Sequence, residues 1–272
     1  MSLAYRTLHA SPLVTVNDVT CTAGCGHARH EEHCPVATLA FVRSGAFVRR
    51  DRMGRHVADA TRVVFFDPAE AYMVDHPVPG GDRCTSLAFD DATLREAVRG
   101  GRGNRIFDRA TMAGTARIHL AHRELLDAIR EGDALEVEDV ALELLRLCTR
   151  PEAAPRADRR TLSLAADAQV LLAAGFDERL TLDGLAARLG TSPFRLCRAF
   201  RAATGESLHR HLTHLRLAAA LERLPDYRDR LAALAFDVGF SSHSHFTSMF
   251  RRWYGVAPRD ARPARRSAVA MA

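Results

Sequence analysis

The sequence predicts an α+β protein in which an antiparallel β domain comes first and an all-α domain comes last. Three observations carry the prediction. Stretches that alternate apolar and polar residues, broken by Gly and Pro turns, fill most of the chain from residue 12 to residue 90. Apolar residues at spacings of three and four take over from residue 91. Within the helical region a single pattern occurs twice, offset by 49 residues and then by 50. At 272 residues the chain has room for two ordinary domains, and 47% hydrophobic with 26% charged residues is a globular balance.

The strands come first. VTVNDVTC alternates, and VATLAFVRSGAFVRRD reads as two strands in a hairpin around Ser44-Gly45. TRVVFFDPAEAYMVDHP gives a strand, a turn at Asp67-Pro68 and another strand, and CTSLAFD closes the set. Short strands at such intervals specify a small antiparallel barrel or sandwich. Next, ATLREAVR, TARIHLAHRELLDAIREG and LEVEDVALELLRLCTR are helical in period. Their Leu120, Leu125, Ile129, Leu142, Leu145 and Leu147 either form a dimer face or cover the strands. PEAAPRADRR, with two prolines and no periodicity, reads as an exposed linker. The expected division is a β domain at 1–100, a helical dimerisation or cover region at 101–150, a linker at 151–160 and an all-α domain at 161–272.

Charge separates these regions. Residues 1–160 carry 22 Arg against 23 acids, whereas residues 161–272 carry 16 Arg against 10 acids. The positive excess therefore lies in the last region, which points to a polyanion partner there. All the cationic residues are Arg, which suits planar, bidentate contact with phosphate and guanine. No apolar run reaches eighteen residues, and the N-terminus lacks a basic start with a long apolar core, so a cytoplasmic protein with no membrane partner is expected. Six cysteines in that setting point to thiols, ligands or sensors rather than structural disulfides.

The repeated pattern is a helix-turn-helix. Leu182, Leu185, Ala186, Leu189 and Gly190 correspond to Leu231, Leu234, Ala235, Val238 and Gly239. Past the turn, Leu196, Ala199, Phe200 and Gly205 correspond to Phe246, Met249, Phe250 and Gly255. Gly190 and Gly239 end the first helices, most easily at positive φ. Ser192, and Ser241 or Ser242, are placed to N-cap the second helices, and Pro193 fits a first turn. Leu196, Ala199, Phe200 and Ala203 make the first inward stripe, and Phe246, Met249, Phe250 and Trp253 the second. Phe194, Arg195, Cys197, Arg198 and Arg201 are left outside on one unit, and His243, Ser244, Thr247, Ser248 and Arg251 on the other. Polar and basic side chains near a helix N-terminus are what reading a major groove requires, so these ten are the candidate contacts to double-stranded DNA. SLHRHLTHLRLAAALERL, the connecting helix, spans about 27 Å, enough to hold two reading heads near one DNA turn apart. Its His209, His211 and His214 scatter round the helix rather than forming a metal cluster.

Residues 165–262 resemble the DNA-binding domain of the AraC/XylS family of transcription regulators. DVGFSSHSHFTSMFRRWYGVAPRDAR is similar to the family's second-unit signature, and LDGLAARLGTSPFRLCRAFRAATG to the first. The N-terminal strands are similar, more loosely, to the family's cupin-like sensor barrel. The resemblance implies a one-component regulator with an effector-binding barrel, homodimerisation through the following helices, and RNA polymerase as a further partner. It places Arg198, and His243 with Ser248, where members touch bases. Cys197 and Ser248 depart from the longer polar or basic side chains common at those positions.

CTAGCGHARHEEHC, residues 21–34, concentrates three cysteines and three histidines. Thiolate with imidazole suits a tetrahedral zinc site, for which Cys21, Cys25 and Cys84 with His33 or Cys34 are the candidate ligands. Sulfur-rich sites also suit Cu(I). A thiol redox switch is the second reading, with Arg29 and the histidines lowering a cysteine pKa. The third is an incidental loop beside an organic effector pocket involving Phe41, Phe65, Tyr72 and His76. A cupin-type metalloenzyme is weighed as well, but neighbouring Asp75 and His76 point to opposite faces of a strand and supply no facial triad. No nucleophile triad, phosphate loop or HExxH motif appears, so the expectation is a regulator rather than an enzyme.

Overall fold

A computed structural model describes residues 3–22, 31–52, 54–68, 70–98, 106–150, 157–227 and 230–261. Among the described residues, the N-terminal half contains two antiparallel sheets. The larger orders β1 (Leu3–Ala10), β2 (Val14–Cys21), β9 (Asp82–Phe89), β4 (Thr38–Gly45), β7 (Arg62–Phe66) and β10 (Thr111–Ala113). The smaller orders β3 (Glu32–His33), β8 (Ala71–Asp75), β5 (Phe47–Asp51) and β6 (Gly54–Ala58). The sheets face each other across Ala40, Val42, Phe47, Ala58, Val64 and Cys84.

The structure corrects three sequence expectations. Of the barrel and sandwich alternatives, the barrel does not form: the sheets are an open pair, with β1 and β10 at opposite edges of the larger one. The hairpin around Ser44-Gly45 does not form. Strand β4 pairs with β7 and β9, whereas β5 pairs with β6 and β8, so the chain changes sheets at that corner. Gly45 permits it at φ 72, and a side chain there would collide with the Gly81 carbonyl. The region 101–150 is not all helical, since β10 adds to the edge of β7. Strand β1 also lies ahead of the expected strands, and its largely exposed edge position leaves it without an apolar face to read.

The other face of the larger sheet is covered by helices α2 (Ala116–Glu131) and α3 (Ala134–Cys148), which follow α1 (Asp91–Ala97). Leu39, Phe41, Phe65 and Leu87 from the sheet meet Ile118, Leu125, Leu144 and Leu145 in one core. Leu147 and Ile129 join the same core, Leu120 packs toward the C-terminal helices, and Leu142 is 37% exposed. Most of the apolar stripe therefore covers strands.

Among the described residues, the helices that follow are α4 (Arg159–Ala174), α5 (Leu182–Arg188), α6 (Pro193–Thr204), α7 (Leu208–Tyr227), α8 (Leu231–Asp237) and α9 (His243–Tyr254). Helix α4 starts inside the stretch expected to be linker, because Asp158 accepts a bond from Thr161 N and caps it. The central α7 divides its surface. Leu208, Leu212 and Leu215 enter the first unit's core, and Leu217, Leu221 and Leu224 the second's. The helical domain is docked on the β domain: Ala166, Val170 and Ala173 of α4 pack against Ala46, Val48 and Val57.

The two turn glycines differ in a testable way. Gly190, at φ 59, has open space around it, whereas a side chain at Gly239, at φ 87, would meet Arg216 Nε and Asp177 O, both at 2.9 Å. That Arg216 guanidinium is held in place, donating to the carbonyls of Phe176 and Glu178. Gly190→Ala is expected to cost about 1 kcal/mol for the backbone alone, and Gly239→Ala about 1–3 kcal/mol more, as measured by urea denaturation.

Candidate nucleic-acid interface

Helices α6 and α9 are built alike. Ser192 Oγ accepts from Arg195 N at 3.3 Å, and Ser242 Oγ accepts from His245 N at 3.2 Å, so Ser242 rather than Ser241 is the second cap. Pro193 occupies the first turn of α6, as its missing N–H allows. Leu196, Ala199 and Phe200 are buried on α6, with Ala203 half-buried. On α9 the buried stripe is Phe246, Phe250 and Tyr254. Met249 and Trp253 are half-buried instead, and Trp253 lies against His214 with ring centroids 3.6 Å apart.

The outward faces carry the predicted candidates. Phe194, Arg195, Cys197, Arg198 and Arg201 are exposed on α6, and His243, Ser244, Ser248 and Arg251 on α9. Thr247 is half-buried, its hydroxyl 3.4 Å from His243 Nε2. The Arg198 guanidinium lies 5.7 Å from the centre of the Phe194 ring, which is 73% exposed. Neither helix has an acidic residue in its first turn, so each presents a positive helix end beside Arg or His. Anionic backbone and base edges are what such a surface accommodates.

The predicted metal residues are divided by the fold. Cys21 ends β2 opposite Asp82, and Cys84 follows on the same face of β9, its Sγ 3.4 Å from Asp82 Oδ2. His33 is exposed opposite Ala71, and the Cys34 thiol donates to the Val36 carbonyl at 3.1 Å. Cys25 lies outside the described residues. Among the described residues, the donors brought together are those of Cys21, His76 and Asp82, without His33, Cys34 or Cys84. The sequence singles out His76 as a pocket residue and as the neighbour of Asp75, but not as the partner of Asp82, which it meets across a turn. Burial and the Asp82 carboxylate push the Cys84 thiol well up, which disfavours a reactive thiolate. The four suggested pocket residues do not meet: Phe41 and Phe65 lie in the sheet–helix core, Tyr72 packs on Phe66, and His76 is at the sheet junction.

Comparison with known proteins bears on the C-terminal domain. Residues 185–264 match a family model described as a helix-turn-helix domain. The chain is 34% identical over 90 residues to the transcriptional activator RhaS of Escherichia fergusonii, covering 33% of this chain and 32% of that protein. The C-terminal domain is a helix-turn-helix domain similar to that of this transcriptional activator. A RhaS from Salmonella schwarzengrund is 30% identical over 145 residues, 50% of this chain and 51% of that protein. The transcriptional regulator ArgR of Pseudomonas aeruginosa is 32% identical over 103 residues, 38% of this chain and 31% of that protein. The chain thus spans about a third to a half of the length of the curated relatives it matches. Among solved structures, fatty-acid-bound ToxT from Vibrio cholerae aligns over 91% of this chain and 93% of its own, at 12% identity and a TM-score of 0.34. An AraC-type regulator from Chromobacterium violaceum aligns over 38% of this chain and 93% of its own, at 27% identity and a TM-score of 0.36.

The helix-turn-helix domain is tied to the β domain by polar contacts that the sequence did not reveal. His211 on α7 lies with Nε2 3.2 Å from Asp59 Oδ2 and Nδ1 2.8 Å from Glu206 Oε1. His214 Nδ1 is 3.2 Å from the other Glu206 oxygen. Arg43 of β4 pairs with Glu222 of α7, and Arg55 of β6 with Asp167 of α4. Asp59 and His211 are 152 residues apart, so no local pattern joins them.

Proposed function

We propose that the chain is a one-component, non-enzymatic transcription regulator that binds double-stranded DNA through α6 and α9 and responds to an effector through its β domain. The observation that carries this reading is the pair of serine-capped helices, each with a buried apolar stripe, α6 exposing Phe194, Cys197 and three Arg, and α9 exposing His243, Ser244, Ser248 and Arg251. Arginines would bind phosphates and set the register, while the outward faces read bases. The docked arrangement of α4 and α7 on the sheets supports a route by which a bound effector changes how the reading helices are presented. The reading extends to a cytoplasmic homodimer working beside RNA polymerase. Leu135 and Leu142, seven residues apart on α3 and 72% and 37% exposed, offer an apolar strip for a second copy.

Duplex binding measured by fluorescence anisotropy at several salt concentrations tests the proposal. Affinity is expected to fall steeply with salt, and a chain with no salt-dependent affinity for any duplex would overturn it. Arg198→Ala is expected to weaken binding by about 1–3 kcal/mol and relax specificity at one base pair. Equal weakening on all sequences would instead assign Arg198 to a phosphate.

A further inference from the structure

We infer that the β domain holds a divalent transition-metal ion where its two sheets meet, bound by Cys21, His76 and Asp82. This goes beyond the DNA-binding reading and does not rest on it. One potential ligand atom from each residue lies within 4.8 Å of the others, and all three residues are buried. A tetrahedral zinc ion spaces its ligands about 3.3–3.8 Å apart, so small side-chain movements close the shell.

The fold explains the convergence. Cys21 and Asp82 are cross-strand partners on adjacent strands, and β4 places Gly45 on the other side of Asp82. Gly81, at φ 75, lies so close to the Cys21 carbonyl that a side chain there would collide with it, which pins the start of β9 against the end of β2. His76 follows β8 of the other sheet. The three donors thus come from both sheets, and a bound ion would clasp them at one end.

The carboxylate supplies the second line of evidence. Asp82 Oδ1 is buried and has no hydrogen bond of acceptable geometry, although His76 Nε2 is 3.0 Å away. A buried anionic oxygen is costly in that condition, and a cation facing it removes the cost. The other oxygen, Oδ2, accepts from the Cys84 thiol at 3.4 Å, so Cys84 orients the carboxylate rather than ligating. One thiol, one imidazole and one carboxylate form a borderline donor set, suited to zinc or cobalt and unsuited to calcium or magnesium. On binding, the Cys21 S–H bond breaks, sulfur keeps the electron pair for the metal, and the proton leaves to solvent. Three protein ligands leave the fourth position open for an exchangeable ligand.

The experiment uses the full chain, stripped with a chelator and titrated with Co²⁺. The expected result is about one equivalent bound, with a thiolate charge-transfer band and the visible bands of a tetrahedral ion. Cys21→Ser is expected to remove the charge-transfer band. His76→Ala and Asp82→Asn are each expected to weaken binding at least about tenfold, while His33→Ala and Cys34→Ser leave it unchanged. X-ray absorption on the zinc-loaded, unaltered protein guards against variants that fail to fold, and should find a single sulfur with nitrogen or oxygen ligands. A chain that binds no Co²⁺ overturns the inference. So does a band that survives Cys21→Ser, one lost in Cys34→Ser, or a zinc shell with no sulfur or several.

Discussion

Replacing Phe246 with alanine is expected to unfold the second helix-turn-helix unit and abolish duplex binding. Phe246 has no exposed surface, and its ring lies 5.4 Å from that of Phe240 and 5.6 Å from that of Phe250, centre to centre. Those rings fill the space between α9 and the buried Leu234 and Ala235 of α8. Removing the ring forfeits its transfer from water and leaves a cavity, a loss of about 3–5 kcal/mol in comparable cores. Whole domains are stable by only about 5–15 kcal/mol, so the loss is a large share of what holds α9 in place. The reading face cannot survive independently, because its exposed residues take their positions from the buried stripe of the same helix. A lowered urea midpoint and lost anisotropy signal are the expected readouts. Phe236→Ala is the control: Phe236 belongs to the same unit but is 57% exposed, and its loss should cost about 0.5 kcal/mol or less. Equal midpoints for the two variants would contradict this account of the core.

The contrast between Phe246 and Phe236 also indicates which regions of the molecule are legible in its sequence. The helix-turn-helix units are legible because their determinants are local. Ser192 and Ser242 cap helices that begin at the next residue, Gly190 and Gly239 turn the chain where they stand, and apolar spacing marks the inward stripe. The strands are legible as strands, but their partners are not. Nothing local tells VATLAFVRSGAFVRRD that its two halves belong to different sheets, because that outcome is decided by Gly45 meeting Gly81. Cysteine density draws attention to Cys21 and Cys84, while His76 beside Asp75 offers no pattern of its own. The register between β2 and β9 brings in Asp82 instead, and registers are set by nonlocal packing.

Asp59→Asn is expected to abolish most of the alkaline destabilisation of the chain. Asp59 Oδ1 accepts from Thr61 N at 2.8 Å and Thr61 Oγ1 at 2.6 Å, which leaves Oδ2 to face His211. Burial pulls the His211 pKa down, but Asp59 and then Glu206 outweigh it and hold the ring at about 9. A raised pKa means that the charged ring's contribution is complete below the unfolded value of about 6.5 and is lost as pH climbs through about 9. The acid side is governed by other rings. Burial holds His119 at about 4 and His122 at about 3, so their contribution is present above about 6.5 and lost as pH falls toward those values. Stability is therefore expected to peak near neutrality and to fall on both sides. An asparagine keeps the carbonyl that Thr61 needs and turns an N–H₂ toward His211 Nε2, where it donates to a neutral imidazole and opposes a charged one. The alkaline limb should then shrink and move to lower pH, while the acid limb stays. Removing one partner of a buried ion pair costs about 3–5 kcal/mol when the remaining charge is stranded, and the neutral ring available to His211 should keep the loss at pH 8 below that range. Thermal unfolding of both proteins from pH 5 to pH 9.5 decides the matter. An alkaline limb of the same depth and position in Asp59→Asn would assign it to groups other than His211. Because Asp59 precedes β7 and His211 lies on α7, the same titration should loosen the hold of the β domain on the DNA-reading helices.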